Sequence, residues 1–305
     1  MIWIIVGSIL FFLIILFLLI LFLIYRTTFY SPKSWQKGDL NLSKSIDYQG
    51  MNDRAISLIK GLLEMPYEDV ETVSYDGLKL HGYFYKSESS NDVVIMFHGY
   101  RGTPRRDFSG GAVEVLKLNK NVLLVDERAH GLSQGHSITF GEREQRDVLT
   151  WINFVKNRFG DKTNIALVGI SMGGATVLMA ADKVDPNIRI IADCPYSRPK
   201  DVIQATIKKF GLSVNFFYPF VALSSILFSH TKLKSDALEN VMNSENKILI
   251  IHGSADTIVP YKMSERIYLK NKNHVQYELF DGAEHGISYL KDTDRYRRII
   301  SDFLK

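Results

Sequence analysis

The residues with the most chemistry in this chain are Gly169-Ile170-Ser171-Met172-Gly173-Gly174. A Gly-x-Ser-x-Gly match arises by chance in roughly one chain in ten of this length, so its setting has to decide. A β-branched run at 165–168 precedes it and a helix-compatible segment at 175–184 follows. Ser171 therefore falls on a strand-to-helix turn. Such a turn strains the serine backbone, demands small residues at Gly169 and Gly173, and holds the Ser171 hydroxyl above the sheet at a helix N-terminus. The chemistry to expect is nucleophilic attack on a carbonyl; a glycine-rich turn without chemistry is the bland alternative.

A serine needs a base, and the base needs an orienting acid. Of the eight histidines, His285 lies in the turn-rich Asp281-Gly282-Ala283-Glu284-His285-Gly286, directly after the last expected strand. In a parallel sheet that loop opens at the same carboxyl edge as Ser171, which makes His285 the candidate base. His130 and His136, after the strand ending at Val125, are rivals. His98 and His252 stand in His-Gly pairs where turns begin and read as loop-shaping residues. His81, His230 and His274 read as ordinary strand, lid or surface residues. For the acid, Asp256 is the one carboxylate in the loop 252–260, with Asp193 at the end of the sixth strand as rival. Asp126 reads as loop support together with Arg128. The negative charge of a tetrahedral intermediate calls for two fixed N–H donors. Met172 supplies the first candidate and Tyr100, in Phe97-His98-Gly99-Tyr100-Arg101-Gly102, the second.

These side chains must be positioned by a sheet. Strands are expected near 73–75, 78–85, 93–97, 122–125, 165–168, 188–192, 248–251 and 275–280, with helix-period segments between them. One such segment is 142–159, where Val148, Ile152, Val155 and Phe159 share a face and Gly160 follows. Continuous apolar strands imply a mostly parallel, eight-stranded α/β sheet covered by helices on both faces, with a hairpin-like pair leading in. The stretch 198–241 is longer than a single crossover helix needs and contains Phe210, Phe216, Phe217, Tyr218, Phe220 and Phe228. It is expected to form a cap, with Phe216, Phe217 and Tyr218 as candidate substrate contacts unless the rings only pack the insertion down. Arg101 is a further candidate contact, for a carboxylate or phosphate, against the reading of Arg101, Arg105 and Arg106 as a solvated basic loop.

Residues 1–24 contain no charged side chain. At 1.5 Å per residue they make about 36 Å of helix, enough to cross a hydrocarbon core of about 30 Å. The segment lacks the basic start, short apolar core and small-residue cleavage site of a signal peptide, so an uncleaved anchor is expected. Arg26, Lys33 and Lys37 just beyond it favour a cytoplasmic body by the positive-inside rule, against the extracytoplasmic alternative. The expected organisation is thus an anchor at 1–24, a stalk and edge helix at 25–65, and one domain at 66–305. With 37 Lys and Arg against 33 Asp and Glu, and no basic stripe interleaved with aromatics, nucleic-acid binding has no support. The single cysteine, Cys194, excludes an intrachain disulfide and a multi-cysteine metal cluster.

Together the His98-Gly99-Tyr100 segment, the run from Asp126 to Gly135, the Gly169 to Gly174 elbow, the Gly253 to Pro260 loop and Glu284-His285-Gly286 resemble the α/β hydrolase superfamily. The order Ser171, Asp256, His285 agrees. Within the superfamily the chain is similar, from about residue 70 to 305, to serine esterases and peptidases related to the prolyl oligopeptidase catalytic domain and to serine aminopeptidases. The resemblance implies hydrolysis of an ester, thioester or amide through an acyl-enzyme, with no cofactor and no metal. It departs from the oligopeptidases in having no β-propeller ahead of the domain, and from lipases of the His-Gly-Gly-Gly type at the oxyanion loop, which leaves the substrate open. A small-molecule or lipid-like acyl substrate is expected first. A serine peptidase and a silent hydrolase fold serving as a binding module are the alternatives; cofactor-free peroxide chemistry has no feature in its favour.

Overall fold

Eight strands rich in β-branched and aromatic residues pair into one sheet: β1 Glu68–Val73, β2 Lys79–Tyr85, β3 Val93–Phe97, β4 Asn121–Val125, β5 Ile165–Ile170, β6 Arg189–Asp193, β7 Ile248–Gly253 and β8 Val275–Phe280. The structure, a computed structural model, describes residues 1–32, 38–42 and 51–305; Lys33, Lys37 and part of the expected stalk lie outside the described residues. The spatial order is β1-β2-β4-β3-β5-β6-β7-β8. β2 runs antiparallel to β1 and β4, and every other neighbouring pair is parallel. This is the expected α/β hydrolase architecture, including the antiparallel lead-in.

Every residue of β3, β4 and β7 is buried, as strands covered on both faces require. The two-residue period of a strand divides them between two cores. Val93, Ile95 and Phe97 of β3 face one core, and Val94 and Met96 face the other. Among the described residues the α-helices longer than four residues are α1 Ile2–Thr28, α2 Asn52–Leu63, α3 Ser109–Lys117, α4 Glu144–Phe159, α5 Met172–Met179, α6 Pro199–Lys209, α7 Val214–Ser224, α8 Ala237–Met242, α9 Lys262–Tyr268 and α10 Thr293–Leu304. On one side Trp151 and Val155 of α4 pack with Leu178 of α5 and Ile203 of α6. On the other, Leu62 of α2 and Val115 of α3 pack with Ile300 and Leu304 of α10. Helix α4 buries Val148, Ile152 and Val155 and stops at Gly160, whose φ of 98° few other residues adopt.

The first strand differs from expectation: it lies at Glu68–Val73, and residues 74–78 form a turn. The Ser74 hydroxyl accepts the Leu78 N–H at 2.8 Å and Gly77 adopts φ 84°, which reverses the chain within the stretch expected as strand at 73–75. The consequence for the site comes from the strand order. β3 lies between β4 and β5, so the winding reverses there and the loops after β3 and β5 diverge, opening a crevice at the carboxyl edge.

Helix α1 is long and apolar enough to cross a membrane, with a mean hydropathy of 3.4 over 18 residues. Residues 1–20 are exposed, whereas Leu21, Tyr25 and the following Phe29 are buried against the domain. Between β6 and β7 the chain forms α6, then α7 continuing through a π-helical turn at Ser225–Ser229, then α8.

Candidate active site

Ser171 follows the last residue of β5 and is the N-cap of α5, with φ 54° and ψ −111°. The glycines on either side are sterically obligatory. A methyl group on Gly169 would collide with the carbonyl of Gly173, and one on Gly173 with the carbonyl of Phe97. The backbone N–H of Ser171 donates to the carbonyl of Asp193 at 2.8 Å, tying the turn to β6.

His285 comes from the loop after β8. Its Nε2 lies 2.8 Å from Ser171 Oγ and its Nδ1 2.6 Å from Asp256 Oδ2. The neutral tautomer that satisfies both contacts donates from Nδ1–H and accepts the serine proton at Nε2. Asp256, in the loop after β7, is completely buried as a side chain. Its Oδ1 accepts the N–H groups of Ile258 and Val259 at 2.8 Å each, and Oδ2 lies 3.1 Å from His252 Nε2. Burial works against its charge, but the hydrogen bonds from His252 and His285 hold the carboxyl well below the usual carboxylate range. Close approach of the two loops needs Gly253, where a methyl would strike the carbonyl of Ala283.

The rival residues have other partners. Asp193 Oδ2 accepts the hydroxyl of Tyr296 at 3.1 Å, and burial pushes the Asp193 carboxyl up to about 6. His136 stacks on Tyr30. His130 and His98 lie edge-to-face, ring centroids 4.7 Å apart, behind the loop that carries Tyr100. His98 donates from Nδ1 to the Gly99 carbonyl at 2.8 Å and accepts the Glu127 N–H at 3.1 Å. His130 donates from Nδ1 to the Arg128 carbonyl at 3.0 Å and accepts the Arg101 N–H at 3.1 Å. Burial lowers the affinity of both rings for a second proton, most strongly at His130. Two neutral imidazoles thus fix the loop after β3 to the loop after β4. Among the described residues no carbonyl accepts the backbone N–H of Tyr100 or of Met172.

Asp126 does not support its loop through Arg128. It accepts the Leu132 N–H and pairs with His81, while Arg128 makes a four-bond contact with Asp147 and Asp76. Sequence proximity misled here because Arg128 points away across the loop.

A cleft of about 460 Å³ opens over Ser171 and His285. Its apolar wall includes Leu58 and Ile59 of α2, Phe108, Ile170, Ile258 and Leu290. The sequence places α2 only as an edge helix; that it walls the cleft follows from contacts distant in the chain. Arg101 borders the cleft, yet its Nη2 donates to the carbonyls of Thr27 and Tyr30 at 2.9 and 3.0 Å. Arg105 lies over the rings of Tyr67 and Tyr83, and Arg106 pairs with Asp107, so neither forms a solvated basic loop. Phe216, Phe217 and Tyr218 do not line this cleft: Phe217 and Tyr218 pack against the core and Phe216 stands exposed on α7.

Cys194, Asp256 and His285 bring donor atoms within 4.8 Å of one another, a spacing a metal ion could bridge. The Asp256 and His285 atoms are already engaged with each other at 2.6 Å, so this cluster belongs to the Ser171 site.

Residues 133–305 match the model of the prolyl oligopeptidase family, more than half of the chain. The chain belongs to the prolyl oligopeptidase family. As a member it is a hydrolase of the α/β fold. An esterase of Pyrococcus furiosus superposes with a TM-score of 0.66 at 27% identity, over 80% of this chain and 92% of that one. The uncharacterized protein YqkD of Bacillus subtilis is 26% identical over 237 residues, 75% of this chain and 76% of YqkD. The lysophosphatidylserine lipase ABHD12 of Danio rerio is 26% identical over 235 residues, covering 72% of this chain and 59% of the lipase.

Proposed function

We propose that this member of the family is a membrane-anchored serine hydrolase that cleaves an acyl ester or thioester, with Ser171 as nucleophile, His285 as general base and Asp256 as orienting acid. The observation that carries the reading is the unbroken hydrogen-bond chain from Ser171 Oγ through His285 to the buried Asp256. In the proposed reaction Ser171 Oγ attacks the acyl carbonyl carbon while its proton passes to His285 Nε2. The oxyanion rests on the N–H groups of Tyr100 and Met172. Collapse breaks the bond to the leaving group, which takes the proton from His285. Water then attacks the acyl-enzyme with His285 again as base, and the freed acid departs.

The apolar wall of Leu58, Ile59, Phe108 and Ile258 supports an acyl chain as the group held in the cleft. Retention of α1 as an anchor is supported by Leu21, Tyr25 and Phe29, which removal of a leader would strip from the core. Residues 198–241 are read as a cap that packs on α1 and whose Phe216, Phe217 and Tyr218 stand outside the cleft. Membership of the prolyl oligopeptidase family favours a second reading, cleavage of an aminoacyl amide on the same residues. The test is fluorophosphonate labelling of membranes carrying wild type or Ser171→Ala, with competition by esters of increasing acyl length and by aminoacyl amides. Labelling lost with Ser171→Ala and competed best by longer esters is the expected result; competition by amides alone would select the peptidase, and labelling that survives Ser171→Ala would end the assignment.

A further inference from the structure

The run from Phe210 to Ser229 contains twenty residues without a charged side chain. It builds α7 and the π-helical turn that follows, and it lies alongside α1 in a constant register. The ring of Phe220 meets Phe17 at 6.1 Å, the Ser224 hydroxyl donates to the Leu21 carbonyl at 2.8 Å, and the ring of Phe228 meets Tyr25 at 5.6 Å. Each pair differs by 203 in residue number, so the helices run parallel over eight residues, about 12 Å at 1.5 Å per residue.

We infer that α7 is a second membrane-embedded element, inserted beside α1 in the same leaflet with its N-terminal end deepest, and that its occupant face is lipid hydrocarbon. The inference rests on the reading of α1 as a membrane helix. A helix held parallel to a spanning helix enters the bilayer with it. The register sets Phe216 beside Leu13 and Ile226 beside Leu23, so depth falls from Phe216 to Ile226. The face that α1 leaves uncovered suits hydrocarbon: Phe216 is 61% exposed, and Ile226 and Leu227 are 45% and 42% exposed. Such a patch continues the apolar surface of α1, and it is the kind of exposed patch that marks an interaction site. The Ser224 hydroxyl is satisfied by α1 itself, and the kinking residue Pro219 within α7 is of a kind that membrane helices tolerate.

The test uses full-length protein in phosphatidylcholine vesicles. Cys194 is buried, so an introduced cysteine takes the label. Phe216→Cys, Ile226→Cys, Leu13→Cys and the exposed body control Glu88→Cys each carry an environment-sensitive fluorophore, and quenching by nitroxides in the headgroup or deep in the acyl chain is compared. Unchanged thermal melts identify folded variants. Deep quenching of Phe216→Cys matching Leu13→Cys, shallow quenching of Ile226→Cys and none for Glu88→Cys are expected. Equal shallow quenching at 216 and 226 would mean a helix flat on the surface and overturn the inference. Quenching at Leu13→Cys with water-like emission at 216 would overturn it and leave the anchor standing. Water-like emission at both would remove the anchor as well.

Discussion

The phenol of Tyr100 donates to the carbonyl of Thr28 at 2.8 Å. The residue proposed to hold the oxyanion through its backbone is therefore fastened through its side chain to the end of the apolar helix. Arg101 repeats the contact one residue later, and a cation at the carbonyl end of a helix also suits the helix dipole. The loop after β3 and α1 are mechanically one piece.

That connection predicts a kinetic effect for Tyr100→Phe. A hydrogen bond contributes about 0.5–1.5 kcal/mol net, so a fully expressed loss of positioning lowers kcat by about 2- to 13-fold. KM for a short acyl ester should stay put, since the ring still stacks on Phe140. Steady-state kinetics in vesicles decide, and an unchanged kcat would show that the loop is held in place without the Tyr100 hydroxyl.

Replacing Asp256 by Asn should lower kcat by about 10⁴-fold, because Nδ1–H of His285 loses its acceptor and the wrong tautomer becomes favoured. Removal of Ser171 and Asp256 together should cost no more than Ser171→Ala alone. Additive losses would mean that the residues do not act as a unit.

Acid stability carries the signature of the buried imidazoles. The folded protein holds His130 neutral well below the ordinary value of 6.5, whereas the unfolded chain takes up a proton there. Between those two values the unfolded state binds more protons, so this contribution is present above pH 6.5 and is lost as the pH falls. Asp193 and Asp147 work with the opposite sign. Burial pushes both carboxyls up to about 6, so they protonate in the folded protein first and add stability on acidification. The His130 effect therefore appears as a difference: from pH 7.5 to 5.5, thermal melts of wild type should fall more steeply than those of His130→Asn. Parallel curves would refute it.

Gly173→Ala should destabilise the fold as well as the site, since its methyl meets the Phe97 carbonyl of the neighbouring strand. Overpacking of this kind costs about 1–3 kcal/mol. A lowered denaturant midpoint with unchanged slope is expected; a midpoint equal to wild type would show that the elbow yields.

The Ser171, His285 and Asp256 positions were legible because each stands in a short motif directly after an apolar strand, and strand order alone carries such loops to one edge. Long-range packing was not legible in the same way. The expected edge helix carried no sign that its Leu58 and Ile59 would wall the cleft, and Arg101 had a charge but no sign that α1 would take it. The register of α1 against α7 depends on contacts more than two hundred residues apart. Its one local trace was the charge-free run from Phe210 to Ser229, where the aromatic residues drew more notice than the missing charges. β1 lies at Glu68–Val73 rather than near 73–75 because a hydroxyl bond at Ser74, not hydropathy, ends it.

Leu21, Tyr25 and Phe29 have a further consequence in time. They leave the ribosome first, yet Ser224 and Phe228, which close over them, are made about two hundred residues later, some 10–40 s at ordinary rates of synthesis. If the leading helix is already in the bilayer by then, the hydrolase can finish its core only where that helix sits.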